Sequence, residues 1–377
     1  MDDRLKGLRV LISTDAVGGV WTYSLDLARE LSAHGIGTVL AVVGPPPSDA
    51  ARAAAIAIPR VELVTTDLPL DWVAESTEEV LDAGAQLAHI AREQRCGLVQ
   101  LHSPALAACR AFSVPVISVH HSCLATWWDA VKPDEEMPED FRWRSAMVAR
   151  GIAASAQVVA PTTAHAHAVA RVYALSAPPL VIRNGRAAPP PTPGRDEQDP
   201  PRFVLSSGRL WDEGKNFESL ARAASLVNLP IVAAGSTIGP NGVTSSFPAL
   251  RMLGALTEDK MRQWLSLASA YVSTALYEPF GLGVLEAAQA GCPLVLSDIP
   301  SFRELWAGAA IFVPPHDEEA IARTLSEVMA DEALRDRLSR RARYRAVLYS
   351  AEAMGREMMR LYALRLALHR PRRERAA

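Results

Sequence analysis

The sequence predicts an α/β protein built from two doubly wound domains, and three observations carry that prediction. Short, continuous apolar runs recur along the chain with helical stretches between them, as in parallel sheets covered on both faces. The stretch at 186–201, RAAPPPTPGRDEQDPP, is too rich in proline and polar residues for a helix or a central strand, so the alternation breaks there and then restarts. A length of 377 residues suits two cores of comparable size better than one.

LRVLIS at 8–13 is the first expected strand, and after Gly18-Gly19 a helical pattern sets Val20, Tyr23, Leu27 and Leu31 on one face. The runs at 37–43, 97–101, 114–119, 157–160 and 180–183 repeat the strand signal and complete a Rossmann-like domain expected over 1–186. A linker is expected at 187–201. Strands at 203–206, 231–234, 271–273, 293–296 and 310–313, with helices at 217–226 and 258–267, then form a second Rossmann-like domain over 202–349. The last part, 350–377, is expected to be a helix carrying Met354, Met358, Leu361 and Tyr362 on one face, followed by a basic tail. Open sheets of this kind bind ligands beyond the carboxyl ends of their strands, so the expected site lies between the domains.

Apolar residues at 49% and charged residues at 21% exclude wholesale disorder. Lys and Arg number 39 against 42 Asp and Glu, and a net charge of -3 gives no global field for nucleic acid or an anionic membrane. Cys96, Cys109, Cys123 and Cys292 lack the paired short spacing of a zinc cluster or a redox motif and read as reduced thiols. The N-terminus has none of the marks of a signal peptide, and no run approaches the roughly 18 apolar residues that cross a bilayer. A cytoplasmic location is expected, with any membrane contact peripheral, at the inner face. HRPRRER at 369–375 is either a contact for anionic lipid or a solvated terminus.

The most informative segment is YEPFGLGVLE at 277–286, which follows a strand and opens a helix. Gly281 and Gly283 let a ligand approach the backbone, and unpaired N–H groups at a helix start attract phosphate or sugar oxygens. Glu278 and Glu286 then either line one pocket as hydroxyl acceptors or merely favour the helix start through its dipole. In GRLWDEGKN at 208–216, Arg209 and Lys215 either present a fork and a point charge to one diphosphate or decorate a solvated turn. Gly18-Gly19 suits a tight loop under a ligand or an ordinary strand-to-helix turn. No third spaced glycine and no acidic strand end accompany it, which weighs against a dehydrogenase. His102, His120 and His121 stand at strand ends; His120 follows its strand most directly and is the best candidate to meet a sugar or phosphate. No Asp-x-Asp pair offers a seat for a metal on a sugar diphosphate, so no metal site is expected.

Together these segments resemble the glycosyltransferase family 4 group of retaining, nucleotide-sugar-dependent enzymes with the GT-B fold, in which two Rossmann-like domains face each other across a cleft. The likeness covers nearly the whole chain, and Glu278 to Glu286 is its most specific part, with Ser297-Asp298-Ile299-Pro300 and Arg303-Glu304 as its continuation. It implies that Arg209 and Lys215 hold the diphosphate and stabilise it as it leaves. It implies that Glu278 orients the transferred sugar, with the backbone of Phe280, Gly281 and Leu282 beside it, and that Glu286 holds the ribose hydroxyls. By the same resemblance His120 lies near the donor sugar and acceptor, Gly18 and Gly19 form a loop closing on the diphosphate, and the terminal helix crosses back onto the first domain. The implied substrates are a nucleotide-diphosphate sugar and a small-molecule, glycan or lipid-linked acceptor; no cofactor, metal or nucleic acid is expected. The chain departs from the family pattern at Arg183 before Asn184-Gly185, at Arg186-Ala187 after it, and at Thr274-Ala275, where Pro-Ser is common. A nucleotide-sugar epimerase and a non-catalytic binding protein of the same architecture are the alternatives. The segment 123–144, with Trp127, Trp128 and Trp143, is either an acceptor lid or a helical cap.

Overall fold

The runs RVLIST, GTVLAV and LVQL, buried along most of their lengths, become the central strands of a seven-stranded parallel sheet in the computed structural model. The structure describes residues 3–16, 18–189, 202–239 and 242–369. The chain divides into two units, the first comprising Met1–Gly185 with Ala351–Ala377 and the second Arg186–Ser350. The expected linker from 190 to 201, and the basic tail beyond His369, lie outside the described residues.

In the first unit the strands are β1 (Arg9–Thr14), β2 (Gly37–Val42), β3 (Val61–Thr65), β4 (Leu98–Leu101), β5 (Val116–Val119), β6 (Gln157–Ala160) and β7 (Leu180–Val181), in the order β3-β2-β1-β4-β5-β6-β7. Its helices are α1 (Gly19–Ala33), α2 (Asp49–Ile56), α3 (Thr77–Glu93), α4 (Leu124–Val131), α5 (Glu139–Ala154) and α6 (Thr163–Val172). The second unit has β8 (Val204–Ser207), β9 (Ile231–Ala234), β10 (Arg251–Gly254), β11 (Ala270–Ser273), β12 (Leu294–Ser297) and β13 (Ala310–Val313), ordered β10-β9-β8-β11-β12-β13. Its helices are α7 (Phe217–Ala224), α8 (Glu258–Leu267), α9 (Leu282–Ala290), α10 (Pro300–Trp306), α11 (Glu318–Ala330) and α12 (Glu332–Ala346), and α13 (Ala351–Leu368) closes the first unit.

In each sheet the strand order reverses beside its first strand, between β1 and β4 and between β8 and β11. The loops that leave those strands diverge, and the crevice they open is where a doubly wound sheet takes its ligand. Gly18-Gly19 and His102 follow β1 and β4, and Arg209, Lys215 and Glu278 follow β8 and β11, at the switch point of each unit, whereas His120 follows β5, one strand away.

Helix α13 buries Met354, Met358, Leu361 and Tyr362 in the core that also holds Ile12, Leu27 and Leu40. The Tyr362 hydroxyl donates to Gln100 Oε1 at the end of β4, satisfying a phenol with no exposed surface. The sheets contain two strands that the apolar pattern does not announce, β3 and β10. In β3 the exposed Glu62 interrupts the apolar run, and β10 offers only Met252 and Leu253 between Arg251 and Gly254. β10 begins with exposed Arg251 and shifts register between Met252 and Gly254. β7 stops at Val181 rather than 183, and α7 at Ala224 rather than 226. Among the described residues no helix is long and apolar enough to cross a membrane.

Candidate active site

In the second unit the loop after β8 is built around two side-chain anchors, the Asp212 carboxylate and the Asn216 amide. Asp212 caps the 3-10 turn Glu213–Lys215, one carboxylate oxygen accepting from Gly214 N at 2.9 Å and the other from Arg209 Nη2 at 2.7 Å. Asn216 closes the turn at φ 53°, and its amide donates to Thr274 O at 2.9 Å and Pro315 O at 2.7 Å. Thr274 Oγ1 donates back to Asn216 O at 2.8 Å, and Gly214 O accepts from Leu276 N and Tyr277 N. This stitching ties the loop to the end of β11 and brings Lys215 Nζ within 2.6 Å of Glu278 Oε2. The two side chains are only 16% and 20% exposed, so the pair is largely shielded from water. Arg209 is half exposed, 5.4 Å from the Trp211 ring centroid. Each cation expected on the diphosphate therefore has a carboxylate partner of its own.

Gly281 begins α9 at φ 87°, a conformation costly for any residue with a Cβ. A Cβ there would stand 3.1 Å from Phe302 Cε1 and 3.3 Å from Glu278 Cγ. Phe280 is buried edge-on against Tyr349, with ring centroids 5.8 Å apart, and Leu282 is the first residue of the helix. Ser301 Oγ donates to the Glu278 carbonyl at 2.5 Å, fixing the turn from α10. Glu286 lies a turn further along α9, with Arg186 Nε 3.0 Å from its Oε1. Burial pushes the Tyr271 phenol above its ordinary pKa, a Ser207 hydrogen bond opposes this, and the negative charges of Glu278 and Glu286 add to the rise.

In the first unit Gly18 caps α1 at φ 81°, where a side chain would be strained, and Gly19 opens the helix. At the end of β4, His102 Nδ1 lies 2.6 Å from His121 Nε2, with the rings stacked at 4.8 Å. Tyr23 meets both rings edge-on, at 5.1 and 4.8 Å. Burial lowers the pKa of His102 to about 3 and that of His121 well below its ordinary value, so both rings are neutral. His120 is completely buried, whereas His102 and His121 are half-buried. Its Nδ1 is 2.9 Å from His165 Nε2, and among the described residues its Nε2 has no hydrogen-bond partner.

Cys123, at the N-cap of α4, has its sulfur 3.1 Å from Tyr173 Oη and 3.3 Å from Thr126 Oγ1. Burial raises this thiol's pKa, but His120, Thr126 and Tyr173 more than offset it and leave the value at about 7. His165, Tyr23 and Cys123 are not among the candidates that strand-end position selects. Thr162 accepting from His165 N is a capping spacing visible in the sequence, although it says nothing of which ring His165 will meet.

The segment 123–144 forms α4, a turn and the start of α5. Trp128 Nε1 donates to Glu135 O at 2.9 Å and its ring meets Phe141 at 5.5 Å, so these aromatic rings pack within the helical hairpin. Asp298 and Arg303 form a two-pronged exposed pair at 2.5 and 2.6 Å, which pulls the Asp298 carboxyl below its usual range. Among the described residues no group of three or more His, Cys, Asp and Glu side chains is placed to hold a metal ion.

Residues 17–186 match the family model described as Glycosyltransferase Family 4, and residues 194–345 match that described as Glycosyl transferases group 1. Glycogen synthase of Mycobacterium tuberculosis is 28% identical over 306 residues, which take in 73% of this chain and 70% of that protein. O-antigen chain mannosyltransferase B of Escherichia coli is 28% identical over 115 residues, so the match spans 30% of each chain. Among solved structures, sucrose-phosphate synthase from Thermosynechococcus elongatus has a TM-score of 0.79 at 18% identity, covering 97% of this chain and 100% of that one. HepE from Anabaena, in complex with UDP-glucose, has a TM-score of 0.70 at 16% identity, covering 95% and 100%.

Proposed function

The chain belongs to the family 4 glycosyltransferases and has their GT-B fold, and from that premise we propose that it moves a hexosyl group from a nucleotide-diphosphate sugar to a small-molecule, glycan or lipid-linked acceptor. Transfer retains the anomeric configuration and uses no divalent metal. The observation that carries this reading is the shielded Lys215–Glu278 pair beside the glycine-opened start of α9. A diphosphate entering there draws Lys215 and the half-exposed fork of Arg209 onto its oxygens, and Glu278 turns to accept from a sugar hydroxyl. Phe280, Gly281 and Leu282 supply backbone at the start of α9 without a side chain in the way, and Glu286 receives the ribose hydroxyls.

As the bond from the anomeric carbon to the phosphate oxygen breaks, negative charge grows on the departing diphosphate. Arg209 and Lys215, drawn onto its oxygens when the donor binds, stabilise it, and these permanent charges support metal independence. The acceptor oxygen bonds to the same face of the anomeric carbon, and its proton passes to the departing phosphate oxygen. Glu278, committed to orienting hydroxyls, is not assigned as a nucleophile. The first unit is assigned to the acceptor, with His120 and the Gly18-Gly19 loop as its candidate residues. HepE, solved with UDP-glucose, supports a nucleoside diphosphate sugar as donor here.

Incubation with UDP-, GDP- and ADP-linked glucose and mannose tests the reading. The expected result is slow release of nucleoside diphosphate from one of these donors, abolished by Lys215→Ala. Interconversion of the donor sugars, or saturable binding with no release from any donor, would overturn it.

A further inference from the structure

We infer that Arg186 is a positioning residue for nucleoside recognition, holding the Glu286 carboxylate in the orientation that receives the ribose. The inference rests on the role given to Glu286 above. Arg186 follows Asn184-Gly185, where the chain departs from the family pattern, and it is buried, with 9% of its side chain exposed. A guanidinium in that setting is tolerated only if it is paired. Its Nε stands 3.0 Å from Glu286 Oε1, and its Nη2 donates to Glu258 Oε1 at 2.9 Å. The backbone of the same residue is pinned: its N–H donates to Tyr349 O at 3.1 Å, and its carbonyl accepts from Gln289 Nε2 at 3.4 Å. Gln289 and Glu286 both belong to α9, so Arg186 grips that helix by its main chain and by its charge.

The two ion pairs are not equivalent. Glu258, the first residue of α8, is 62% exposed, and a pair so wet contributes little. Glu286 is 26% exposed, so its pair is the shielded one. The arginine fork spans two carboxylates, Nε facing Glu286 and Nη2 on Glu258, and so confines the shielded one, which a lysine point charge does only loosely. Ordering a glutamate side chain before the ligand arrives removes that cost from binding, an effect of about three- to tenfold in affinity. The benefit falls on ligands whose hydroxyls use the carboxylate. By contrast, the charge that Arg186 sets against Glu286 and Glu258 acts on any diphosphate alike.

Calorimetric titration of the full chain with UDP, GDP and ADP identifies the base that binds best, and the 2′-deoxy form of that diphosphate then gives a ribo-to-deoxy affinity ratio. The wild type is expected to favour the ribonucleotide by about tenfold or more, since a site built to accept from a hydroxyl penalises its loss. Glu286→Gln tests the underlying reading: a ratio unchanged in that variant means that Glu286 does not receive the ribose. Arg186→Met tests the inference, with the ratio expected to collapse to within about threefold of unity. Equal losses for both nucleotides, leaving the wild-type ratio intact, would make Arg186 a tether between α8 and α9 and overturn the inference while sparing the role of Glu286. Arg186→Lys keeps the charge and the stem should methionine not fold. Its ratio is expected to fall between those of the wild type and Glu286→Gln, and full retention would contradict the claim that the fork is needed.

Discussion

Replacing Lys215 with methionine keeps most of the buried stem and removes one charge, so its consequences separate cleanly into stability and rate. The broken contact is a 2.6 Å ion pair with about a fifth of each partner in water. That places its loss between the few tenths of a kcal/mol typical of wet pairs and the 3–5 kcal/mol of buried ones, at about 1–3 kcal/mol. The loop itself stays in place, because Asp212, Asn216 and Thr274 hold its backbone without help from the lysine. The rate loss is larger: one preorganised cation removed from a leaving diphosphate is worth about a hundred- to a thousandfold in kcat. Initial rates of nucleoside diphosphate release at saturating donor, measured beside a urea unfolding curve, read the two effects separately. A folded Lys215→Met protein with kcat within about threefold of wild type would refute the assignment of Lys215 to the departing phosphate.

Gly281→Ala forces a Cβ into a left-handed position 3.1 Å from Phe302, and should lower the stability of the second unit by about 1–3 kcal/mol while weakening nucleoside diphosphate binding; an unchanged urea midpoint would contradict the close approach. Acid should destabilise the first unit. His102 has a folded pKa of about 3 against 6.5 when unfolded, so the unfolded chain binds the extra proton in that window. Its stabilising effect is full above pH 6.5 and falls at up to about 1.4 kcal/mol per pH unit as the pH drops towards 3, with His121 and His165 acting in the same direction. Urea midpoints at pH 7 and pH 5 that do not differ, or that differ equally in His102→Gln, would refute this. Alkylation of Cys123 by iodoacetamide, followed by peptide mass mapping, should rise through about pH 7, below the range of Cys96, whose thiol is pushed up to about 11 by burial; coincident profiles would refute the offset by His120, Thr126 and Tyr173.

Some elements are legible in the sequence to the residue, among them β9, β13 and α8. They are short runs bounded by turn signals, or helices with one continuous apolar face, and local pattern alone determines them. β3 and β10 are hidden because Glu62 in the one, and Arg251 and Gly254 in the other, break the continuous apolar run that announces their neighbours. The donor signature divides in the same way. Glu278, Gly281 and Glu286 lie in one turn and the helix that follows it, so their proximity is a property of the local segment. Lys215 meeting Glu278, Arg186 meeting Glu286 and His165 meeting His120 depend on strand order and helix packing, which a single sequence does not display. The strand-end rule likewise brings His102, His120 and His121 to one edge of the sheet, but it does not tell which ring is enclosed. Alternation along the backbone and the packing of α6 enclose His120 and leave its neighbours half-buried.

The measurement that tests the central claim most directly is proton NMR of the first product formed from the preferred donor in excess EDTA. Transfer stabilised by Arg209 and Lys215, with attack on the face that the diphosphate leaves, yields product of retained anomeric configuration at an undiminished rate without added metal. A product of inverted configuration, or no product until magnesium or manganese is restored, would contradict it.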